Sequence, residues 1–390
     1  MNFKVIISGA GPAGLAAACL LAMGGVATAV VAPVAEPDPR TTALMQPSLQ
    51  MLKVIQVWDD DIKSFCAPLK QLHIIDDTGN YVVAPTLEFR ADELDLAEFG
   101  WNVPLAQLVP RLHAKAKALG VTFIIANSVS AQARADQVTL KTDGDEILSA
   151  KLVIAADGPS SKVRRSLGID MESWSFEQSA FVTIFKHSAP HENISFEFHK
   201  SAGPFTTVPL PGDWSSLVWM DRPQRIKGLM SLTDLDLAVE IQLESHGVLG
   251  RISDIGTRGI FPMRGSRATS FAGNRCMVIG EAAHVLPPIG AQGLNMSLRD
   301  AAYAAQLVIG NEDPGSETVM IDYNRLRRAD VLTRQTIVNL MNRSMLSTFS
   351  GFSMARAAGL AVVGSIPPLR QMAMQQGSAP TADLPRSMRG

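Results

Sequence analysis

Short apolar runs separated by glycine-rich turns characterise the first part of the chain. Residues 4–8 are apolar and β-branched, which is typical of a buried strand, and a similar run covers residues 26–31. Small and apolar residues between them, ending at Met23, predict a helix. Strand, helix and strand in succession indicate a parallel α/β unit. Further strands are predicted at residues 121–130, 137–141, 146–149 and 152–156.

A different pattern extends from about Trp174 to Arg267, where aromatic residues are concentrated. We interpret this part as a sheet that covers a substrate, with most of its aromatic side chains in the core. Runs that alternate apolar and polar residues predict that the sheet is antiparallel: residues 180–185, 194–199, 206–209 and 216–220.

Other elements follow from local pattern and turn residues. A hairpin is predicted at residues 69–83, with its turn at residues 76–80. Predicted helices cover residues 40–52, 102–118, 235–243, 298–309 and 317–345.

The last part of the chain has two distinct compositions. Residues 349–370 are largely apolar, which favours either a core helix with a docking surface or direct membrane contact. Residues 377–390 are rich in Pro, Ser and Ala, and we expect them to be disordered.

Composition and charge exclude several classes of function. The 390 residues carry a net charge of −2 without a basic block, so nucleic acid is not an expected partner. The three cysteines are widely spaced, which predicts neither a metal site nor a disulfide framework and suits the cytoplasm. The apolar stretch at residues 13–32 is interrupted by two glycines at 24–25 and follows a strand-like run, which argues against a signal peptide or membrane span.

A glycine motif lies between the first strand and the first helix. Gly9 permits the tight turn, Gly11 lets a pyrophosphate approach the backbone, and Gly14 lets helix and strand pack closely. The acid that usually binds the ribose at the end of the second strand is replaced by Ala32, although Glu36 or Asp38 are candidates to reach back. The candidate dinucleotide-binding residues are Gly9, Ala10, Gly11, Pro12, Ala13 and Gly14.

A second and a third motif lie far along the chain. An apolar strand delivers Asp157 to a loop, where it either contacts a ligand or caps the following helix. Residues 278–300 read as a buried strand, an acidic turn, a Pro/Gly loop and a helix start. Free N–H groups and the positive end of the helix dipole at that start would stabilise a ligand that becomes anionic.

The order and spacing of these motifs resemble class A FAD-dependent aromatic monooxygenases over nearly the whole chain. Residues 327–330, 349–350, 356–360 and 367–370 are similar to the C-terminal part of the ubiquinone-biosynthesis hydroxylases, which are related to 4-hydroxybenzoate hydroxylase. The chain departs from the family at Ala32 and at Glu281, which stands where Asp is usual.

The resemblance implies an α/β fold in which a Rossmann-like FAD-binding domain with a parallel sheet is interleaved with an antiparallel-sheet substrate domain and followed by a C-terminal helical segment. The expected FAD-binding parts are residues 1–70, 101–172 and 269–310. The expected remainder is a substrate-domain hairpin at 71–100, the substrate sheet at 173–268, C-terminal helices at 311–376 and a tail at 377–390.

The resemblance also implies the chemistry. NAD(P)H would reduce FAD, O₂ would form a C4a-hydroperoxyflavin, and the ring of a polyprenylated phenol would be hydroxylated. No metal is expected, and His284 is interpreted as a positioning residue rather than a catalytic base. The implied catalytic residues, which would flank the isoalloxazine, are Pro288, Gly290, Gly293 and Asn295. Further implied cofactor contacts are Arg40, Gln107, Asp157, Gly280, Glu281, Gly293, Leu294 and Asn295.

Some of these residues have simpler readings. Arg40 would otherwise be a surface charge, and Gln107, which falls off its helix's apolar stripe, would be solvated. We expect replacement of Glu281 by Ala to weaken FAD retention more than replacement of Asp300.

Two rival functions remain open: a hydroxylase of small soluble phenols, and a paralogue that binds FAD weakly and acts as a non-catalytic subunit. Expected partners are the phenol, O₂ and other ubiquinone-biosynthesis proteins. The expected location is the cytoplasm, with peripheral contact to the inner membrane as the alternative.

Overall fold

The structure is a computed structural model that describes residues 2–34, 36–79, 83–346, 358–359, 362–378 and 384–390. The strands in these residues are β1 Asn2–Ser8, β2 Thr28–Ala32, β3 Thr41–Met45, β4 Ala67–Leu69, β5 Gln71–Asp77, β6 Leu87–Arg90, β7 Gly100–Pro104, β8 Thr122–Ile125, β9 Ser128–Ala133, β10 Val138–Thr142, β11 Ile147–Ala155, β12 Met171–His187, β13 Ile194–Lys200, β14 Gly203–Leu210, β15 Trp214–Asp221, β16 Ile252–Ile255, β17 Gly259–Ala268, β18 Ala272–Gly273, β19 Cys276–Val278 and β20 His284–Val285. The helices are α1 Pro12–Met23, α2 Gln46–Ile55, α3 Asp60–Lys63, α4 Leu105–Ala118, α5 Lys162–Ser166, α6 Pro223–Met230, α7 Asp234–Glu244, α8 Gln292–Val308, α9 Glu317–Leu346 and α10 Pro367–Ser378, with 3₁₀ turns at Ala91–Leu94, Gly280–Ala282 and Arg386–Met388.

A parallel sheet forms the centre of the fold. Its order is β18-β19-β11-β1-β2-β8, and the five strands from β19 to β8 run parallel. In β1, Ile7 pairs with Ile154 on one side and Val30 on the other. The central parts of β1, β2 and β11 are apolar and buried, since they lie in one core with residues of α1, α4 and α8. The Rossmann-like prediction is confirmed.

The second sheet is almost entirely antiparallel and has the order β20-β17-β12-β15-β14-β13-β5-β6. Its only parallel pair within the described residues is β13 with β5. One face buries aromatic side chains, among them Phe181, Phe205 and Trp219, against α6 and α7. The opposite face is therefore free to line a cavity, and the predicted interleaving of the two kinds of sheet is confirmed.

Several element boundaries differ from the sequence prediction. Residues 41–45 are strand β3 rather than the start of a helix, because they pair with β7, and α2 begins only at Gln46, next to Pro47. Residues 100–104 are likewise in β7, so α4 starts at Leu105. Long-range pairing overrides the local helical pattern in both cases.

Three further corrections concern strands. The hairpin that starts with β5 returns at β6, beyond residue 83, and the predicted turn residue 80 lies outside the described residues. Residues 146–149 and 152–156 belong to one strand, β11, whose first half pairs with β10 and second half with β1. Residues 121–130 divide into β8 and β9.

Residues 384–390 pack against α2 and α8, so the prediction of disorder is wrong for these residues. Met388 is only 2% exposed, and the backbone N–H of Arg386 donates to Gln306. Apolar packing of Leu384 and Met388 outweighs the polar composition. The predicted segments at 349–350 and 356–357 lie outside the described residues. Across the described ranges, no helix is both long enough and apolar enough to cross a membrane.

A buried ion pair between Asp300 of α8 and Arg327 of α9 connects these helices to the turn that follows β19. Asp300 Oδ1 accepts from Arg327 Nε at 2.6 Å, and its Oδ2 accepts from His284 Nε2 at 2.8 Å and from the Gly280 N–H at 2.9 Å. Asp300 and Arg327 are both 0% exposed. Although burial acts to raise the pKa of Asp300, His284 and Arg327 hold it below its ordinary value.

The network continues through Asp330 to the start of α8. Asp330 accepts hydrogen bonds from Arg327, Arg299 and Arg334, and Arg334 Nη1 donates to Gln292 Oε1 at 2.6 Å. These arginines outweigh burial and lower the pKa of Asp330. Since both carboxyl pKa values are depressed, the network stabilises the fold fully above their unfolded pKa of about 4 and loses this contribution as the pH falls through the folded values.

Replacing Arg327 by Met should therefore be strongly destabilising, because it leaves Asp300 charged and buried. We expect a loss of about 3–5 kcal/mol in the free energy of unfolding, measured by denaturant titration near neutral pH. The control is Arg325→Met on the same helix, whose exposed pair with Asp322 should contribute less than about 1 kcal/mol. Equal losses in the two variants would contradict the assigned role of the buried pair.

Candidate active site

The turn between β1 and α1 has room for a phosphate group where the sequence predicts one. A Cβ on Gly9, whose φ is +114°, would lie 2.2 Å from the Ala156 carbonyl oxygen, and a Cβ on Gly14 would lie 2.3 Å from that of Gly9. Gly11 differs, because a Cβ there meets no atom within 4 Å. Gly9 and Gly14 thus allow neighbouring backbone segments to pack closely. Gly11 instead leaves open space beside the uncapped start of α1. This cradle fits a dinucleotide pyrophosphate.

The end of β2 offers no carboxylate of its own, since it finishes at Ala32. Asp38 is engaged by Arg40, whose backbone N–H and Nε donate to its Oδ1 at 3.0 and 2.9 Å. Burial acts to raise the pKa of Asp38, but these bonds hold it below its ordinary value. Asp38 therefore supports Arg40 instead of offering a free acceptor for a ribose, and Glu36 is the exposed carboxylate in this loop.

Arg40 itself lies at the cleft between the two large sheets. Its guanidinium is 5.3 Å from the centre of the Phe261 ring, and the charge of Glu281 acts on it from the turn after β19. The pKa of Arg40 is raised, first by its hydrogen bonds to Asp38 and then by these carboxylates. The structure thus brings Arg40 and the exposed Glu281 to the same cleft, although they are far apart in sequence.

The start of α8 is an open helix N-terminus. Ala291 precedes it with φ of +54°, and no side chain caps the first turn. A Cβ on Gly293 would meet nothing within 4 Å, and Pro288 and Gly290 are exposed beside it. Free N–H groups facing open space are the arrangement that binds an anionic or electron-rich ring edge. This fits the isoalloxazine that the sequence analysis expects at these residues and at Leu294.

Asn295 has a different position from the one expected of a residue that flanks a flavin. Its Oδ1 accepts from Met45 N at 3.0 Å and Ser48 Oγ at 2.7 Å, and its Nδ2 donates to the Ala43 and Ala291 carbonyls at 2.8 and 2.7 Å. The side chain is therefore fully used within the protein. It fastens the start of α8 to β3 and α2 and acts on a cofactor through the backbone that it holds.

Three other predicted residues also bond within the protein. Gln107 Oε1 accepts from Arg111 Nη1 at 2.8 Å. Asp157 accepts from Ser161 and from the first N–H groups of α5, which is the capping alternative. His284 is buried against Asp300, which favours positioning over general base catalysis.

A large cavity lies between the start of α8 and the inner face of the antiparallel sheet. It has a volume of about 1270 Å³, above the roughly 300–1,000 Å³ of an ordinary small-molecule site, and its walls are mainly apolar. Its lining includes Ala43, Pro288 and Gly290 close to the start of α8, and also Phe89 of β6 and Met374 of α10, which pack together. The wall residues that sequence reasoning missed include Leu72, Ile74, Glu197, Thr206, Val208, Val218 and Val338.

Sequence alternation could have grouped most of these missed residues. In β5, β13, β14 and β15 they occupy alternate positions, as residues on one face of a strand must. Alternation does not say which face meets the cavity, because both faces of this sheet are covered. Arg334 was missed for a different reason: its bond to Gln292 joins residues 42 apart, and no local pattern signals it.

Comparison with known proteins agrees with this geometry. The family model described as FAD binding domain matches residues 2–334. The chain belongs to this family. It is 30% identical to the 3-demethoxyubiquinol 3-hydroxylase of Escherichia coli over 95% of this chain and 92% of that protein. It is 27% identical to the ubiquinone hydroxylase UbiL of Rhodospirillum rubrum over 99% of this chain and 92% of that protein.

Solved structures share the fold at lower identity. The p-nitrophenol 4-monooxygenase PnpA of Pseudomonas putida superposes with a TM-score of 0.77 at 18% identity, covering 96% of this chain and 97% of that chain. Together with the family model and the two relatives, the resemblance to FAD-dependent aromatic monooxygenases is confirmed. The protein is an FAD-dependent aromatic-ring monooxygenase, and NAD(P)H is the reductant of its family.

The open space at Gly11 allows a direct test of the pyrophosphate site. Gly11→Val should fold normally, because its φ of −72° suits any residue and its Cβ meets no protein atom, yet it should purify without FAD. Absorbance of the purified protein measures FAD, and circular dichroism measures the fold. Gly14→Val is the contrasting variant, since its Cβ would collide with Gly9 and impair both. A yellow Gly11→Val protein would refute the assignment.

Glu281 is the next residue to test. Glu281→Ala should weaken FAD binding by about tenfold, the value of one good hydrogen bond to a charged group, measured by fluorescence titration of apoprotein with FAD. Asp300→Ala is not the neutral comparison that the sequence suggested, because Asp300 is fully buried in the ion network. Glu317→Ala at the exposed start of α9 is the better control and should leave FAD affinity unchanged. Equal FAD affinities for Glu281→Ala and Glu317→Ala would show that Glu281 does not contact FAD.

Proposed function

We propose that the protein hydroxylates the aromatic ring of a polyprenylated phenol in ubiquinone biosynthesis, with NAD(P)H and O₂ as co-substrates. The observation that carries this is the cavity, which is large, mainly apolar and continuous from the Pro288–Gly290 loop to α10. Such a shape accommodates a ring at the start of α8 and an isoprenoid tail toward α10. The two relatives with ubiquinone-related names support the same pathway.

The chain's own residues prepare the site for this reaction. Gly9, Gly11 and Gly14 would hold the pyrophosphate, and Glu281 would bond the ribityl chain. The N–H groups after Ala291 stabilise negative charge on the ring edge that faces them. Bound FAD, once reduced, supplies the oxygen-activating chemistry. The apolar walls limit the access of water to the reacting ring, which protects activated oxygen from side reactions with water.

The charges around the cavity argue against a small acidic phenol as substrate. A carboxylate in an apolar cavity needs an unengaged cation. Three of the four arginines of the wall are paired with carboxylates: Arg299 and Arg334 bond Asp330, and Arg325 bonds Asp322. The fourth, Arg389, donates to the Leu384 carbonyl and is exposed, so water solvates its charge. The intact cradle at Gly11 likewise gives no support to a subunit that has lost FAD.

The tail preference is testable with purified enzyme. A phenol with a tail of two isoprene units should give a kcat/KM at least about 100-fold above that of the same phenol without a tail, because burying even one five-carbon unit contributes roughly 3 kcal/mol. Ala373→Trp in α10 should reduce this advantage by narrowing the tail end of the cavity. Met372→Trp, its exposed neighbour, is the matched control and should not.

A kcat/KM that does not depend on the tail would favour the small-phenol alternative.

The same proposal predicts that a strain lacking the gene accumulates a polyprenylated quinone precursor with one ring hydroxyl fewer. Mass spectrometry of that precursor also identifies the position that is hydroxylated. Normal quinone content in the deletion strain would refute the pathway assignment.

A further inference from the structure

A carboxylate and a histidine form a buried polar pair at the mainly apolar wall of the cavity. Both belong to β13, where Glu197 and His199 occupy alternate positions and so share a face. His199 Nε2 is 2.7 Å from Glu197 Oε1, and the two residues are 3% and 7% exposed. Glu197 lines the cavity. A buried charge of this kind is costly unless something pairs with it.

The pair has bonding capacity that the protein does not use. With Nε2 donating to Glu197, the Nδ1 atom of His199 is left buried without a partner. Glu197 Oε2 likewise has no hydrogen-bond partner among the described residues, and it is not fully buried, on a side chain that lines the cavity. A carboxylate has room for several donors. The free oxygen is therefore available to a ligand that carries an O–H group.

The register of the sheet relates Glu197 to the start of α8. Asn102, which pairs with Ala43 of β3, donates to Ser216 Oγ at 3.1 Å, so Ser216 marks the flavin end of the sheet. Ser216 pairs with Val208 in β14, and Glu197 pairs with Thr206, two residues further along that strand. Two residues of strand correspond to about 7 Å. Glu197 thus lies one row of side chains beyond Ser216 along the sheet and two strands across from it, which adds about 10 Å of lateral separation.

We propose that Glu197 binds the ring hydroxyl of the phenol substrate and accepts its proton as the ring is hydroxylated, while His199 positions the carboxylate. The inference rests on the function proposed above and deepens it. In the step, the substrate O–H bond breaks, a Glu197 Oε2–H bond forms, and the electron pair stays on the substrate oxygen. Delocalised into the ring, that pair makes the ring carbons more nucleophilic toward the oxygen atom that O₂ and the reductant supply.

A purely structural pair would behave differently from a substrate-binding one. If Glu197 and His199 only stabilise the sheet, their replacement lowers stability and leaves ligand selectivity unchanged. If Glu197 binds the hydroxyl, its replacement changes selectivity between a phenol and the matching ether, which has no O–H to donate. A hydrogen bond to a charged group corresponds to a preference of about tenfold or more.

The test uses FAD-loaded enzyme and two probes: a phenol with a tail of two isoprene units, and its methyl ether. We expect the wild type to bind the phenol at least about tenfold more tightly than the ether. Glu197→Gln should abolish most of this preference and lower kcat for the phenol more than it raises KM. Glu197→Asp should restore part of both, and His199→Gln should give an intermediate loss.

The control is His187→Gln, which alters another buried histidine of the same sheet that bonds Ser215 and does not line the cavity. It should keep the wild-type preference. An unchanged preference in Glu197→Gln, or in Glu197→Asp and His199→Gln if the first variant fails to fold, overturns the inference. A wild type that hydroxylates the phenol but does not distinguish the probes also overturns it. If wild-type enzyme neither binds nor hydroxylates the tailed phenol, the proposed function itself fails.

Discussion

The ion pair between Asp300 and Arg327 is the interaction on which the site depends. It joins α8 and α9 where water has no access, and Asp300 also holds the turn at Gly280. One buried network thus fixes two pieces of backbone: Asp300 holds the turn after β19, and Asp330 holds the start of α8 through Arg334 and Gln292. Without Arg327, Oδ1 of the buried Asp300 carboxylate would lose its partner and only His284 and the Gly280 N–H would remain to compensate the charge, which destabilises the contact between the two helices. Stability and site geometry are therefore coupled in this protein.

The site combines side chains that are fully hydrogen-bonded within the protein with backbone that is left uncovered. Asn295 uses all of its bonding capacity to attach α8 to β3 and α2. Gly11 and Gly293, in contrast, leave the backbone uncovered. Residues that are conspicuous in the sequence therefore divide into those that present backbone to a ligand and those that hold the backbone in place. Both classes of residue occur in the same sequence motifs. They differ only in whether their hydrogen-bonding groups are used within the protein or left open to a ligand.

The sequence was sufficient for features that depend on local pattern. The glycine motif, the central strands and the change to an antiparallel sheet follow from periodicity and turn residues, and the structure has them. Local pattern was insufficient where contacts with distant parts of the chain determine the structure. Residues 41–45 form a strand because they pair with β7, and Met388 is buried because it packs against α2 and α8. The roles of Arg334 and Glu197 depend on residues far along the chain, so local pattern does not reveal them. Asp157 and Gln107 show the converse, since each looked available and each bonds locally.

The position of β1 constrains how the chain can reach this structure. The strand precedes both of its neighbours in the chain, yet it lies in the middle of the parallel sheet, between β2 and β11. Its second neighbour follows only after about residue 147, and β19 only after residue 276. Parallel pairings over such separations form slowly and leave strand edges exposed in the meantime. The glycine turn at the end of β1 thus takes its final shape late, since Gly9 packs on Ala156, and nascent chains should depend on chaperones until the cofactor site closes.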